Sequence, residues 1–118
     1  MRGDQGAARP VFEQARELAV QAGDKLTLSY ALRHLGIDEH GAGRLVRARE
    51  LLEESVRLRR EVGFPAGVAA NLVGLAYIAL DEGRRDDAVA LLDEAGALAE
   101  DDGAGGVMRH VQEARTLL

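Results

Sequence analysis

Apolar positions fall at helical spacing along the whole chain. Leu28, Ala31, Leu32 and Leu35 share one face of a helix predicted over 25–41, with Asp24 placed to cap it and Gly41 and Gly43 to end it. Ala48, Leu51, Leu52, Ser55 and Leu58 mark a second helix over 44–62, closed by Gly63. Pro65 suits the first turn of the next, where its missing N–H costs nothing, and Val68, Leu72, Leu75, Ala76 and Ala79 carry that helix towards Gly83. Ala88, Leu91, Leu92, Ala95 and Leu98 predict another over 85–101. The ends are less regular. Ala8, Phe12, Ala15 and Leu18 share a face, but Pro10 lies early in that stretch and predicts a helix starting only near Arg9 or Pro10. After Gly105-Gly106, one face carries Val107, Val111, Ala114 and Leu118. No stretch alternates like a strand, so the expected fold is all-α with about six helices.

The pattern repeats at an offset of 40 residues, which brings Leu32 onto Leu72, Leu35 onto Leu75 and Gly43-Arg44 onto Gly83-Arg84. The same offset brings Ala48, Leu51, Leu52, Leu58 and Gly63 onto Ala88, Leu91, Leu92, Leu98 and Gly103. Backwards, Gly3, Ala8, Glu13, Leu18 and Gly23 fall on Gly43, Ala48, Glu53, Leu58 and Gly63. A period of this size means stacked helix pairs, an antiparallel helix-hairpin solenoid. The chain divides into a half repeat at 3–23, full repeats at 24–63 and 64–103, and a half repeat at 104–118, all in one domain. Gly3-Asp4 is thereby predicted to form a turn within a repeat.

Leu32-x2-Leu35-Gly36-x2-Glu39 followed by Ala48-x3-Leu52, then Leu72-x2-Leu75-Ala76-x2-Ala79 followed by Ala88-x3-Leu92, resembles the tetratricopeptide repeat. Ala8-x3-Phe12 supplies the leading half copy. Leu replaces most of the family's aromatics, the closing Pro is absent, and the repeat is longer than the family's usual length of about 34 residues. Leu51-Leu52-Glu53-Glu54-Ser55-Val56 and Glu61-Val62-Gly63 are similar to the longer repeats of bacterial regulators, where such arrays sit beside an ATPase or DNA-binding domain. The resemblance implies that the first helix of each pair lines a concave groove that binds a protein or peptide. Carried across, the groove positions are Tyr30, Arg33, Ile37 and His40, then Ala70, Val73, Tyr77, Leu80 and Asp81, then His110 and Glu113. Ile37, Val73, Tyr77 and Leu80 are apolar yet lie beside the Leu32/Leu35 and Leu72/Leu75 stripe, which makes them a candidate interface.

Composition narrows the chemistry. The net charge is −5, against a nucleic-acid partner, and there is no Cys, so thiolate chemistry is excluded. Neither a signal peptide nor a membrane span is present in the 118 residues, and the expected location is the cytoplasm. Aromatics make up 3%, so the core must be built from Leu, Val and Ala.

Other clusters read as ordinary surface. His34 and Asp38 share a helix face while His40 points elsewhere, so no metal is expected. Asp81-Glu82, Asp86-Asp87 and Glu100-Asp101-Asp102 are read as solvated charge. Gly103-Ala104-Gly105-Gly106 lacks the strand, Lys and Ser/Thr of a phosphate loop and reads as a turn between repeats. The arginines at 44, 47, 49, 57, 59 and 60 are expected to pair mostly i,i+4 with Glu50, Glu53, Glu54 and Glu61.

The expected function is a non-catalytic interaction scaffold without a cofactor, belonging to a larger bacterial protein. The alternative is a sensory domain taking a peptide or small ligand in the same groove. The terminal helices carry Val11, Phe12 and Leu18 at one end and Val107, Val111, Leu117 and Leu118 at the other. These sets predict either a longer array or self-association through an end.

Overall fold

A computed structural model describes the backbone of residues 2–101 and 105–118, with side chains from Ala8 onward. Among the described residues six helices follow one another: α1 (Arg2–Ala22), α2 (Lys25–Gly41), α3 (Leu45–Glu61), α4 (Pro65–Asp81), α5 (Arg85–Asp101) and α6 (Gly105–Arg115). The described residues contain no strand, and the fold is an all-α array of helix hairpins. Asp24 caps α2, its carboxylate accepting the Thr27 N–H at 3.0 Å, and Pro65 opens α4. Gly23, Gly43, Gly63 and Gly83 turn the chain with φ between 68° and 81°, a region other residues enter only with strain.

The first helix differs from expectation. α1 begins at Arg2 and runs through Pro10, so Gly3-Asp4 is helical and forms no turn. Proline removes one intrahelical N–H, and the helix continues on both sides of that gap. Asp102, Gly103 and Ala104, which carry part of the glycine run and of the last acidic cluster, lie outside the described residues.

Consecutive helices pack as hairpins. In addition, α2 touches α4 and α4 touches α6, whereas α1, α3 and α5 have no backbone approach to one another among the described residues. Close spacing in one row and wide spacing in the other curves the stack. The inner row is α2, α4 and α6.

Ala48 and Ala88 are fully buried in one apolar cluster with Leu52, Leu72, Leu75 and Leu92, while Leu32 and Leu35 are buried in another. Two apolar clusters form among the described residues. Leu32, Leu35, Leu51 and Leu58 gather with Phe12 and Leu28, and a larger one spans α3 to α6. At the C-terminal end Val111 is fully buried and Val107 and Leu118 pack on the larger cluster, so only Leu117 of the predicted set is bare. At the other end Val11 and Leu18 stay exposed, while Phe12 stacks on His34.

Candidate functional site

Between the two apolar clusters, where α2, α3 and α4 meet, runs a polar seam. Ser55 Oγ donates to the Ser29 carbonyl at 2.6 Å and accepts from Asn71 Nδ2 at 2.8 Å. Ser29 Oγ donates to the Leu26 carbonyl and accepts from Arg59 Nε. Arg59 Nη1 donates to the Gly67 carbonyl at 2.9 Å and reaches Asn71 Oδ1 at 3.4 Å. Arg33 Nη1 donates to that same oxygen at 2.8 Å.

Arg59 is 2% exposed, and no carboxylate contacts it among the described residues. Its Nη2 has no hydrogen-bond partner. The guanidinium instead lies 4.5 Å from the Tyr30 ring centre and 5.2 Å from that of Phe64. A desolvated cation–π contact contributes on the order of 2 kcal/mol. The effective penalty for burying an ion is several kcal/mol, so the aromatic walls offset only part of it. Burial, followed by repulsion from Arg33, holds the Arg59 guanidinium below the ordinary arginine pKa, and burial does the same for Arg33.

The fold treats its other buried charge differently. Glu39 is 2% exposed and accepts from Arg44 and Arg9. Bonding to Arg44, then to Arg9, holds its carboxyl below the usual range against the opposing effect of burial. Glu39 therefore has two counter-ions, whereas the Arg33–Arg59 pair has none among the described residues.

The inner row brings several predicted groove residues together. Arg33 from α2, Ala70, Val73, Gly74 and Tyr77 from α4, and His110 from α6 line a recess of about 190 Å³. Val73 is buried within the core cluster and Leu80 is partly buried against it, so neither belongs to an open apolar strip. Ile37 is 43% exposed but lines a separate crevice of about 150 Å³ against Ala8 and Phe12 of α1. The expected strip is thus split, because α2 presents Ile37 towards α1 and α4 packs Leu80 and most of Val73 into the core, leaving only an edge of Val73 on the recess. His40 and Asp81 meet at 2.7 Å, joining the C-terminal ends of α2 and α4. Tyr30 covers Arg59 at the other end, and His110 pairs with Glu113 on the exposed side of α6.

The remaining clusters resolve into pairs. His34 stacks on Phe12 with centroids 4.2 Å apart, Asp38 accepts from Arg9, and His40 faces Asp81, so the three do not converge. Burial, with nearby Arg33 and Arg59, depresses the His34 pKa. Glu82 is not a solvated charge, since it accepts from Arg49 and Arg84. Nor do the arginines between 44 and 60 pair mainly i,i+4. Arg57 does so with Glu61, but Arg44, Arg49 and Arg60 reach Glu39 in α2, Glu82 after α4 and Glu94 in α5. A hairpin stack offers facing helices within reach of a long side chain, and these outcompete neighbours one turn away. A larger recess of about 290 Å³ between α3 and α5 is lined by Arg49, Glu53, Arg84, Asp87 and Glu94, and its Arg84 pairs internally with Asp87.

Sequence reasoning missed the seam, although the repeat carries a signal for it. At the 40-residue offset Ser29, Ser55 and Arg59 fall on Ala69, Ala95 and Ala99, and Asn71 falls on Ala31. All four alanines are buried. A polar residue in one copy at a position held by buried alanine in the other marks a polar group inside the core.

The chain matches no protein-family model and no curated protein. No described helix is long and apolar enough to cross a membrane.

Proposed function

We propose that this chain is a tetratricopeptide-like interaction module that binds a partner polypeptide along the face made by α2, α4 and α6, with no catalysis of its own. The supporting observation is the convergence of Arg33, Val73, Tyr77 and His110, from three helices, on one recess. At about 190 Å³ that recess falls below the roughly 300–1,000 Å³ typical of small-molecule sites. A side chain of a docked polypeptide suits it better than a free ligand, which favours the scaffold over the sensory reading. Backbone NMR shifts on adding peptides selected from a displayed library provide the test. Shifts clustered on α2, α4 and α6 and lost in Tyr77→Ala support the reading. Shifts confined to α1, α3 and α5 overturn it.

A further inference from the structure

At the edge of the recess just described, the Arg33–Arg59 pair has no counter-ion among the described residues. Arg33 spends Nη1 on Asn71 Oδ1, and its Nε and Nη2 have no protein acceptor among the described residues. Asn71 Oδ1 already takes two guanidinium donors and has no further capacity. Arg59 Nη2 is buried and unpartnered, and apart from the Tyr30 and Phe64 rings nothing among the described residues offsets its positive charge. We propose that this pair receives an acidic side chain, Asp or Glu, of the partner polypeptide, its carboxylate seated on the Nε/Nη2 edge of Arg33 with Arg59 supplying a second, fixed charge behind it. The proposal rests on the α2–α4–α6 face being the interaction face and adds the chemistry of what docks there.

Four features bear on the choice of a carboxylate. The free edge of Arg33 is a two-donor fork, which matches the two oxygens of a planar carboxylate. A tetrahedral phosphate calls for more donors, and the recess wall is built from the middle of α4, where backbone N–H groups are spent within the helix. The neighbours Val73, Ala70 and Tyr77 present apolar surface, so the acidic residue of the partner should be flanked by apolar ones. An anion at Arg33 also relieves the repulsion between the two guanidiniums, which adds to burial in depressing the Arg59 pKa.

The test uses the whole chain against a displayed library of short peptides, with selected sequences remade as capped peptides carrying Glu or Gln at each acidic position. The expected result is enrichment of Asp or Glu beside apolar residues and an affinity loss of about tenfold on changing that Glu to Gln, the scale of a charge-assisted bond. In Arg33→Gln, which keeps a donor for Asn71 and should retain parental circular dichroism, the two peptides should bind alike. Peptides that shift α2, α4 and α6 resonances without any acidic requirement overturn the carboxylate receptor and leave the interaction face standing. Peptides that bind elsewhere, or a library yielding none, overturn both.

Discussion

Arg33 and Arg59 donate to one acceptor, Asn71 Oδ1, at 2.8 and 3.4 Å. A neutral amide oxygen thus holds two like charges together at the junction of three helices. Its Nδ2 is committed to Ser55.

Replacing that neutral acceptor by a charged one tests the balance. Asn71→Asp should raise stability by about 1 kcal/mol, because charge-assisted bonds to two guanidiniums outweigh the lost donor to Ser55. Asn71→Leu should lower it by roughly 2–4 kcal/mol, since both arginines then lose their shared acceptor. Urea midpoints at neutral pH read both. A fall in Asn71→Asp comparable to that in Asn71→Leu would show that the Ser55 bond dominates.

Gly67 is kept without a side chain by its neighbours. A Cβ there would meet Phe64 ring carbons at 2.4 Å and Arg59 Cδ at 3.0 Å. Gly67→Ala should therefore cost about 1–2 kcal/mol, despite the helix-propensity gain of about 1 kcal/mol. In a Phe64→Ala background the same change should become neutral or stabilising. Additive effects in that double-mutant cycle would contradict the packing account.

At the crossing of α4 and α5, Ala88 is fully buried. Ala88→Leu should overpack that contact and cost roughly 1–3 kcal/mol. A thermal melt unchanged from the parent would remove the alignment of Ala48 with Ala88 from the description of the repeat.

Acid should destabilise the protein through Glu39. Its folded carboxyl is depressed, chiefly by Arg44 and then Arg9, so on acidification the unfolded chain takes up the proton first. The Glu39 contribution is complete above the unfolded value of about 4.3 and is lost as pH falls through the folded one. Glu39→Gln should be less stable than the parent at pH 7 and should lose less between about pH 5 and 3. Parallel stability profiles for the two proteins would contradict this.

Helix positions were readable because apolar spacing and glycine stops are local signals. Asp24, Gly63 and Pro65 act where the sequence places them. Pro10 misled because one missing N–H is a smaller perturbation than a helix end. The recess was only partly legible. Arg33, Val73, Tyr77 and His110 converge, but the sequence did not show that Ile37 leans towards α1 or that Leu80 packs against the core. Arg59 looked like one surface arginine among six on a basic helix. Its burial depends on Ser29, Tyr30 and Phe64 arriving from other segments, which no helical period encodes.

Among the described residues, the backbone of α4 comes close to four of the other five helices, whereas that of α1 comes close to α2 alone. Opening should therefore be graded, with α1 peeling away first at little cost and α4 yielding only when the rest has gone. Amide hydrogen exchange should be slowest in α4 and fastest in α1. Since α4 supplies Ala70, Val73, Gly74 and Tyr77, most of the wall of the recess belongs to the last segment to come apart, and recognition should persist in partly opened molecules.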